Sequence, residues 1–413
     1  MTFDIRNFGA VGDGVFMNTD CLQKAIDECS KNGGGRVLVA DGVYKTGSII
    51  LKSNVELHIS ATGIILGSDK CEDYPEKENL KHVISDNLPR YRNACLIFAE
   101  EEENISITGM GKIDCNGTSF VVKKEGDFKG WHYNRIDAPT PPRVVFFTGC
   151  KNIRVTDITM VNQPAGWSYW IHDCDYVNFD RCNIYAEVRY PNNDGIHINS
   201  SRNVTISNCN IECGDDCIIV RANNRSLAEN KICEKVSVTN CNLTSWSGGI
   251  RIGWTSDGII RNCTFSNLVM TDTTVGIHIF LPEAKWCTTG DYGRELTLIE
   301  NLSFNNIIMD GIYARPVSVI ILQSDERCKA IRNLYFSNIK SRGLEFPLLL
   351  GKKDCKLQNI YFTDCVFEKV SDSELPDYER HGAAESGRRK NDQMVKYAEN
   401  VVFNNTSFID KGE

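Results

Sequence analysis

Short runs in which β-branched or aromatic residues alternate with polar residues recur along most of the chain. A polar residue usually opens each run, and a turn that contains Asn or Asp closes it. The alternation has a period of two, which is typical of a β-strand with one buried face. The recurring segments are Asn104–Ile107, Asn152–Val155, Tyr176–Phe179, Asn203–Ile206, Lys235–Val238, Gly258–Ile260, Asn301–Phe304, Asn333–Phe336, Asn359–Phe362 and Asn400–Phe403.

The spacing of these runs indicates stacked repeats. Runs at positions 152, 176, 203 and 235 begin 24, 27 and 32 residues apart, and 26 residues separate those at 333 and 359. One repeat of this length cannot bury its own apolar face, but stacked repeats bury a continuous one. The pattern therefore predicts an all-β fold, a single-stranded right-handed parallel β-helix, built as one domain over residues 1–413.

One segment near the start has the periodicity of a helix. Residues 21–29 follow Asn18–Asp20, which can cap a helix, and the glycines at 33–35 end it. An amphipathic helix here covers the end of the solenoid, which otherwise exposes unpaired strand edges. We therefore predict an N-terminal cap region over residues 1–50. Residues 371–394 are charged and poor in apolar side chains, which predicts a surface loop.

Charge and cysteine content exclude several classes of protein. With 46 Lys and Arg against 54 Asp and Glu, the formal net charge is −8, which argues against a nucleic-acid partner. No apolar run approaches the roughly 18 to 20 residues of a membrane span, and the start does not resemble a secretory signal. We therefore expect no membrane partner and a cytoplasmic location. The 18 cysteines include no Cys-x-x-Cys pair, so we expect buried free thiols, no metal ion and no cofactor.

Two acidic segments stand apart from the many surface carboxylates. Asp194 lies in the turn-like segment Asn192–Gly195, and Asp215 and Asp216 follow Gly214. Each segment alone is also typical of a corner turn. Asp194 and Asp215 are 21 residues apart, slightly under one repeat, so they are expected on coils about 4.8 Å apart. Both Asp215 and Asp216 can face one groove if the backbone bends at the glycine. Converging carboxylates raise at least one pKa and keep a proton available for transfer.

The two motifs, in this order and one coil apart, resemble those of the polygalacturonase family of glycoside hydrolases, family 28, whose members are parallel β-helices. Asn192–Asp194 is similar to the family's Asn-Thr-Asp, and Gly214–Cys217 to its Gly/Gln-Asp-Asp-Cys. Residues 8–14 with Asn18 and Thr19 resemble the start of many pectin-active β-helix proteins. The resemblance extends from about residue 3 to about residue 370.

The resemblance implies inverting hydrolysis of a glycosidic bond. In that mechanism Asp215 is the general acid that protonates the leaving oxygen, while Asp194 and Asp216 position and deprotonate the water. Inversion is usually associated with an acid and a base that are roughly 6.5 to 9.5 Å apart, with the water between them. Coils only about 4.8 Å apart can give a tighter cluster, so the separation alone does not decide the mechanism.

The chain departs from the family at two cationic positions. Where the family has Gly-His-Gly, Gly248 takes the place of the histidine, and where it has Arg-Ile-Lys the chain has His278–Phe280. Phe280 cannot pair with the carboxylate of a galacturonate. Plain polygalacturonan is therefore a doubtful substrate. Arg251 either supplies part of the missing charge or binds hydroxyl groups, or it is a rim arginine without a ligand role.

Six residues are candidates for substrate binding: Asn192, His172, Arg251, His278, Arg189 and Trp254. His172 lies where the family has a sugar-contacting histidine, and a buried structural role is the alternative. His278 similarly either contacts a ligand or forms part of the structure. Arg189 either holds an acidic sugar or balances the carboxylates. Trp254, like Trp131, either stacks on a sugar ring or packs in the core.

These features favour an inverting glycoside hydrolase that cleaves pectin-derived or related plant oligosaccharides. A cytoplasmic enzyme meets short imported chains, so exo action is expected, with loops 123–135 and 282–294 closing one end of the groove. One alternative is a β-helix polysaccharide lyase or epimerase whose carboxylates hold Ca²⁺. Another is a non-catalytic carbohydrate-binding β-helix, which has no need of three clustered carboxylates. The sequence carries no interface signature from which an oligomeric state follows.

Overall fold

A computed structural model describes residues 1–77, 80–81, 93–124, 132–135, 143–164, 166–223, 227, 229–255, 257–283, 295–322, 327–376 and 394–412. At 122–124 and 132–135 it describes the backbone alone. These residues are mostly in strands, with one α-helix at Thr19–Lys31. Short 3₁₀ helices cover Ile5–Phe8, Cys71–Asp73, Gly117–Phe120 and Asp372–Glu374.

Eleven of the described strands form a parallel sheet, here called sheet I, in which the spatial order follows the order of the chain. Each strand therefore pairs with the equivalent strand of the coil before it and of the coil after it. The strands are Ile49–Ile50, Cys95–Glu100, Arg143–Thr148, Tyr169–His172, Ile196–Asn199, Ile218–Arg221, Gly248–Ile252, Val275–Leu281, Val317–Ile321, Leu348–Leu350 and Val395–Lys396.

The remaining parallel strands form sheet II, which supplies the other walls of each coil. Most coils contribute two strands to it, and four coils contribute one long strand that continues round the corner. The strands are Thr2–Asp4, Asp13–Met17, Gly35–Val39, Gly42–Thr46, Val55–Ile59, Gly63–Gly67, Glu103–Thr108, Lys112–Asp114, Lys151–Thr156, Thr159–Val161, Asp175–Asp180, Asn183–Tyr185, Arg202–Ser207, Asn210–Cys213, Cys233–Ser245, Ile259–Thr273, Thr297–Ile312, Cys328–Gly343, Leu357–Thr363, Val366–Lys369, Ala398–Asn404 and Ser407–Asp410.

This strand order confirms the predicted parallel β-helix. The chain alternates between sheet I and sheet II, and successive passes stack in register. A separate antiparallel pair joins Val121–Lys124 to His132–Arg135. No helix among the described residues is both long and apolar enough to cross a membrane.

The core consists of inward-facing side chains that stack from coil to coil. In sheet I the aligned residues Ile198, Val220 and Ile252 are fully buried. In sheet II five phenylalanine rings stack with centroids 4.6 to 5.0 Å apart. These rings belong to Phe265, Phe304, Phe336, Phe362 and Phe403. One continuous apolar cluster runs from Ile5 to Phe367.

Asparagines form many of the corners, as the sequence predicts. Most described non-glycine residues with positive φ are Asn, which tolerates the left-handed conformation better than other side chains. Their amides also bond along the stack, so that Asn301 donates to Asn262 at 3.2 Å and accepts from Asn333 at 3.0 Å. The corners are therefore linked from coil to coil.

The N-terminal helix packs its apolar face on the first coils, where Leu22, Ala25 and Ile26 are fully buried. It begins at Thr19, two residues before the predicted start, and ends at Lys31. Asn18 occupies the N-cap position, but its side chain does not cap the helix. It bonds instead to the backbone of the preceding turn, including Val11, because that buried turn leaves polar groups to satisfy. Residues 377–393 of the predicted charged loop lie outside the described residues.

Candidate active site

The two acidic motifs end side by side at one edge of sheet I. Asp194 precedes the strand Ile196–Asn199, and Asp216 precedes the strand Ile218–Arg221. Ile196 is in register with Ile218, which places Asp194 opposite Asp216 on adjacent strands, about 4.8 Å apart. Neighbouring coils therefore bring the motifs together, as predicted.

Glycines make this close approach possible. The backbone bends at Gly214 and Asp215, between one strand of sheet II and the next strand of sheet I. A Cβ at Gly214 would lie 2.3 Å from the carbonyl oxygen of Tyr190, and one at Gly195 would lie 2.3 Å from that of Cys217. The predicted bend is present, and it leaves Asp215 and Asp216 both close enough to Asp194 to raise its pKa.

Asn192 and Asn193 hold the turn that carries Asp215. The backbone N–H and the side-chain amide of Asn192 both donate to Asp215 Oδ2 at 3.2 Å. Asn193 is fully buried, accepts from the Gly214 N–H at 2.7 Å and donates to the carbonyl oxygen of Glu187 at 2.7 Å. The structure thus gives Asn192 the role of orienting a carboxylate.

Asp216 is held by two donors from the next coil. The Ser247 hydroxyl donates to Oδ1 at 2.9 Å, and Arg251 Nη1 donates to Oδ2 at 3.3 Å. Gly248 lies against the same carboxylate, where a Cβ would be 2.5 Å from Oδ1. The absence of a side chain at position 248 therefore leaves room for Asp216.

Asp194 has fewer partners. Its Oδ1 is buried and makes no hydrogen bond with any described residue. His197 Nδ1 is also buried without a hydrogen bond, 3.8 Å from Asp194 Oδ2. The His197 ring packs on Trp167 with centroids 4.0 Å apart, and burial lowers its pKa well below the ordinary value. His197 is consequently a neutral neighbour of the carboxylate.

The pKa values of all three carboxylates are raised, mainly by burial. The negative charges of Asp215 and Asp216 raise the pKa of Asp194 further. Burial raises the pKa of Asp216 to about 6, although Arg251 and Ser247 act against the increase. Such a group titrates as a unit and keeps a proton near neutral pH. Asp215 is the most accessible of the three, so it is the best placed to transfer that proton.

Aromatic residues surround Arg251 on the C-terminal side of these carboxylates. Its guanidinium carbon is 4.4 Å from the Trp254 ring centroid and 5.2 Å from that of Phe280. His278 stacks on Phe280 with centroids 4.8 Å apart. The structure thus brings Arg251 to Asp216, with Trp254 packed on its guanidinium and His278 in register with it on the next strand. The part of these residues in substrate binding stays a prediction.

Two other predicted residues lie elsewhere. His172 is fully buried and contacts Asn199, so its ring cannot meet a sugar in this conformation. The structural alternative for His172 is therefore favoured over the expected sugar contact, because its side chain is fully buried against Asn199. Arg189 forms an ion pair with Glu187 at 2.7 Å, so its charge is directed to that side chain. Trp131 and residues 284–294 lie outside the described residues.

Sequence reasoning missed His197, Ser247 and Asn193 as members of the site. The signal for His197 was present, since a polar residue between Ile196 and Ile198 is unusual in a buried strand. Ser247 carried no such signal, because it reaches Asp216 across 31 residues of sequence. Among the described residues, no group of three or more His, Cys, Asp or Glu side chains is arranged to hold a metal ion.

Comparisons with known proteins give a family match and several similar proteins. A family model described as glycosyl hydrolases family 28 matches residues 29–366. The chain is 27% identical over 289 residues to a probable polygalacturonase of Vitis vinifera, covering 66% of this chain and 55% of that protein. It is 28% identical over 254 residues to an exo-poly-alpha-D-galacturonosidase of Dickeya chrysanthemi, covering 52% of this chain and 41% of that protein. The chain thus spans about half the length of these relatives.

A solved structure shares the fold. The exopolygalacturonase of Thermotoga maritima superimposes with a TM-score of 0.69 at 21% identity, over 98% of this chain and 92% of that one. At this identity the likeness concerns the fold alone.

Proposed function

Because this chain belongs to glycosyl hydrolase family 28, we propose that it hydrolyses a glycosidic bond with inversion of configuration. The observation that carries the proposal is the convergence of three carboxylates, Asp194, Asp215 and Asp216, on adjacent strands, where their pKa values are all raised. An inverting hydrolase needs one protonated and one ionised carboxyl group at the same pH, and the trio supplies both.

The contacts of each carboxylate fit distinct roles. Asp215, the most accessible, protonates the leaving oxygen, and Asn192 keeps its carboxyl group oriented. Arg251 and Ser247 stabilise the ionised form of Asp216, which suits a base. Asp216 and Asp194 together hold the attacking water, and Asp216 deprotonates it. The unpartnered Oδ1 of Asp194 is free to accept a hydrogen bond from it.

The substrate class in this proposal is a pectin-derived or related plant oligosaccharide. The relative from Dickeya chrysanthemi is named as an exo-acting galacturonosidase, which supports removal of terminal residues by this chain as well. Single sugars should then accumulate from the first minutes of reaction, with no early ladder of intermediate oligomers.

We also propose a cytoplasmic location. All 17 described cysteines are free and 16 of them are buried, which suits a reducing compartment. Cys213 and Cys217 form no disulfide, and the Cys213 thiol instead donates a hydrogen bond to the Cys217 sulfur at 3.7 Å. Cell fractionation with an antibody to the chain tests the location, and recovery outside the cytoplasm contradicts it.

A reducing-end assay over a panel of pectic oligosaccharides tests the activity. Asp215→Asn should lower turnover by about 10²-fold or more, because the amide cannot donate an acidic proton. Glu212→Gln is the matched control, since it removes an exposed carboxylate three residues away and should leave turnover unchanged. If Asp215→Asn retains the turnover of the wild type, Asp215 is not the general acid. A product with a new ultraviolet-absorbing double bond, formed only without chelator, indicates a lyase instead.

A further inference from the structure

The sheet surface on the C-terminal side of the carboxylate trio is built from two strands, Gly248–Ile252 and Val275–Leu281. Arg251 and His278 are in register on these strands, so their side chains share one face of sheet I. Phe280 follows two residues after His278, and Trp254 follows the first strand. A sugar bound next to the trio on this side contacts these four residues.

The charge of Arg251 is already paired within the protein. Its guanidinium pairs with Asp216 at 3.3 Å, and it is the cation that lowers the pKa of all three carboxylates. Two aromatic rings cover it, and only 9% of the residue is exposed. Its buried Nε makes no hydrogen bond with a described residue, which leaves one donor suited to a sugar hydroxyl. A carboxylate drawn to Arg251 competes with Asp216 for it.

The other described side chains of this surface, His278, Phe280 and Trp254, are neutral. Burial lowers the pKa of His278 well below its ordinary value, and Arg251 lowers it further, so the imidazole carries no charge. Phe280 stacks on this imidazole and meets the edge of Trp254 at 5.8 Å. Partly exposed aromatic rings bind the C–H face of a sugar well, but they give an anion no partner for its lost hydration.

The trio adds repulsion to this lack of partners. The trio with one shared proton, counted together with its ion-pair partner Arg251, carries a net negative charge beside the surface. A second anion a few ångströms away is therefore disfavoured by both Coulomb repulsion and desolvation.

We propose that the sugar on the C-terminal side of the trio is uncharged, so that this enzyme cleaves between an uncharged residue and its neighbour. The inference rests on the proposed hydrolase and names its substrate class: an oligosaccharide in which a neutral hexose, a deoxyhexose or an esterified uronate adjoins the cleaved bond. Phe280 stands where a cation would be needed to pair with a free uronate.

Matched substrates test this directly. Oligogalacturonates of one length are prepared with a single residue methyl-esterified, one position at a time, together with a set in which that residue is a neutral deoxyhexose. At one position the loss of charge should raise kcat/KM by about tenfold or more over the unmodified oligomer. If the unmodified oligomer is cleaved as well as every neutral counterpart, or better, the proposal is overturned.

A variant adds a second measure. Phe280→Lys supplies a cation at the proposed position and should shift the preference by about tenfold toward the unmodified oligomer. Phe280→Leu is the matched control, because it removes the ring without adding charge and should retain the preference for the neutral residue. An unchanged preference in folded Phe280→Lys contradicts the role of Phe280. The comparison on the unaltered chain decides the substrate class even if the variant does not fold.

The two proposals fail in different ways. If no oligosaccharide is cleaved in a manner that Asp215→Asn abolishes, the proposed hydrolase itself is wrong. If cleavage depends on Asp215 but the fully charged oligomer is the best substrate, only the proposal of an uncharged sugar on the C-terminal side of the trio is wrong.

Discussion

Asp194 illustrates at the residue scale how a candidate catalytic group opposes folding. It is 5% exposed, its Oδ1 makes no hydrogen bond with a described residue, and two other carboxylates stand beside it. Burying an ion with so little compensation destabilises the folded state. A raised pKa in the folded chain is the expression of this cost, and it makes stability depend on pH.

Asp194→Asn should therefore stabilise the protein at alkaline pH. The unfolded carboxyl group titrates near 3.9, whereas the folded group keeps its proton to higher pH, so wild-type stability falls as pH rises between these values. Urea unfolding should find the variant more stable by about 1 to 3 kcal/mol at pH 8, with a smaller difference near pH 4. A wild type that equals or exceeds the variant at pH 8 contradicts the argument.

The pH profile of hydrolysis follows from the same group. Above about pH 6 Asp216 is ionised, and further increase removes the last proton of the trio, so kcat/KM should decline on the alkaline side. Arg251→Gln removes a charge that lowers all three pKa values, which should move this decline to higher pH. Measurement of kcat/KM from pH 4 to 9 checks both statements, and a decline in the variant at lower pH than in the wild type refutes them.

Gly248 offers a test of geometry without charge. In Gly248→Ala the new Cβ would lie 2.5 Å from Asp216 Oδ1, so the carboxylate must move. The clash is with the end of a side chain and not with backbone, so the fold should be little affected, while kcat should fall by about tenfold or more. Equal loss of activity and of thermal stability would instead indicate general damage.

At the scale of one element, the corner between two strands is stabilised twice. Asn301 adopts φ 56° and also bonds to the asparagines of the coils on either side. Asn301→Ala loses both bonds and places an alanine in the left-handed region, which should destabilise by about 2 kcal/mol. Asn301→Gly keeps the conformation and should lose about half as much. Chemical denaturation measures both, and equal values for Ala and Gly would show that strain plays no part.

The elements were predictable where local pattern decides them. The alternation at Asn301–Phe304 predicts a strand, and the helix over residues 21–29 lies within Thr19–Lys31. The side chain of Asn18 was not predictable, because its partners come from a turn that forms only when the first coil closes. Pattern thus predicts an element better than it predicts the hydrogen bonds at its end.

At the scale of the whole molecule, the site was predictable as far as it depends on one coil. Asp194 and Asp216 are 22 residues apart, close to one repeat, so their convergence followed from sequence. The next coil takes 32 residues to bring Gly248 opposite Asp216, with Ser247 beside it. The length of the intervening loop determines which residue lies opposite Asp216. The periodicity of the sequence does not predict that length. The burial of His172 likewise depends on the rest of the fold.

The thiols provide a test of the whole chain. In denaturant without reductant, all 18 cysteines should react with a thiol reagent, because no described cysteine is bonded to another. The native protein should react slowly, since 16 of the 17 described cysteines are buried. Titration of thiols in both states measures this, and a count well below 18 in denaturant would reveal disulfides and argue against a reducing compartment.

The in-register stacking of sheet I fixes the spacing between functional side chains along the sheet. Position along the groove is counted in whole strands of about 4.8 Å, so a functional side chain cannot slide to meet a different sugar. A new specificity has to arise by replacing the residue at a given position of one strand, as at Gly248 and Phe280. The carboxylates can therefore stay in place while residues on the neighbouring strands are substituted to suit another substrate.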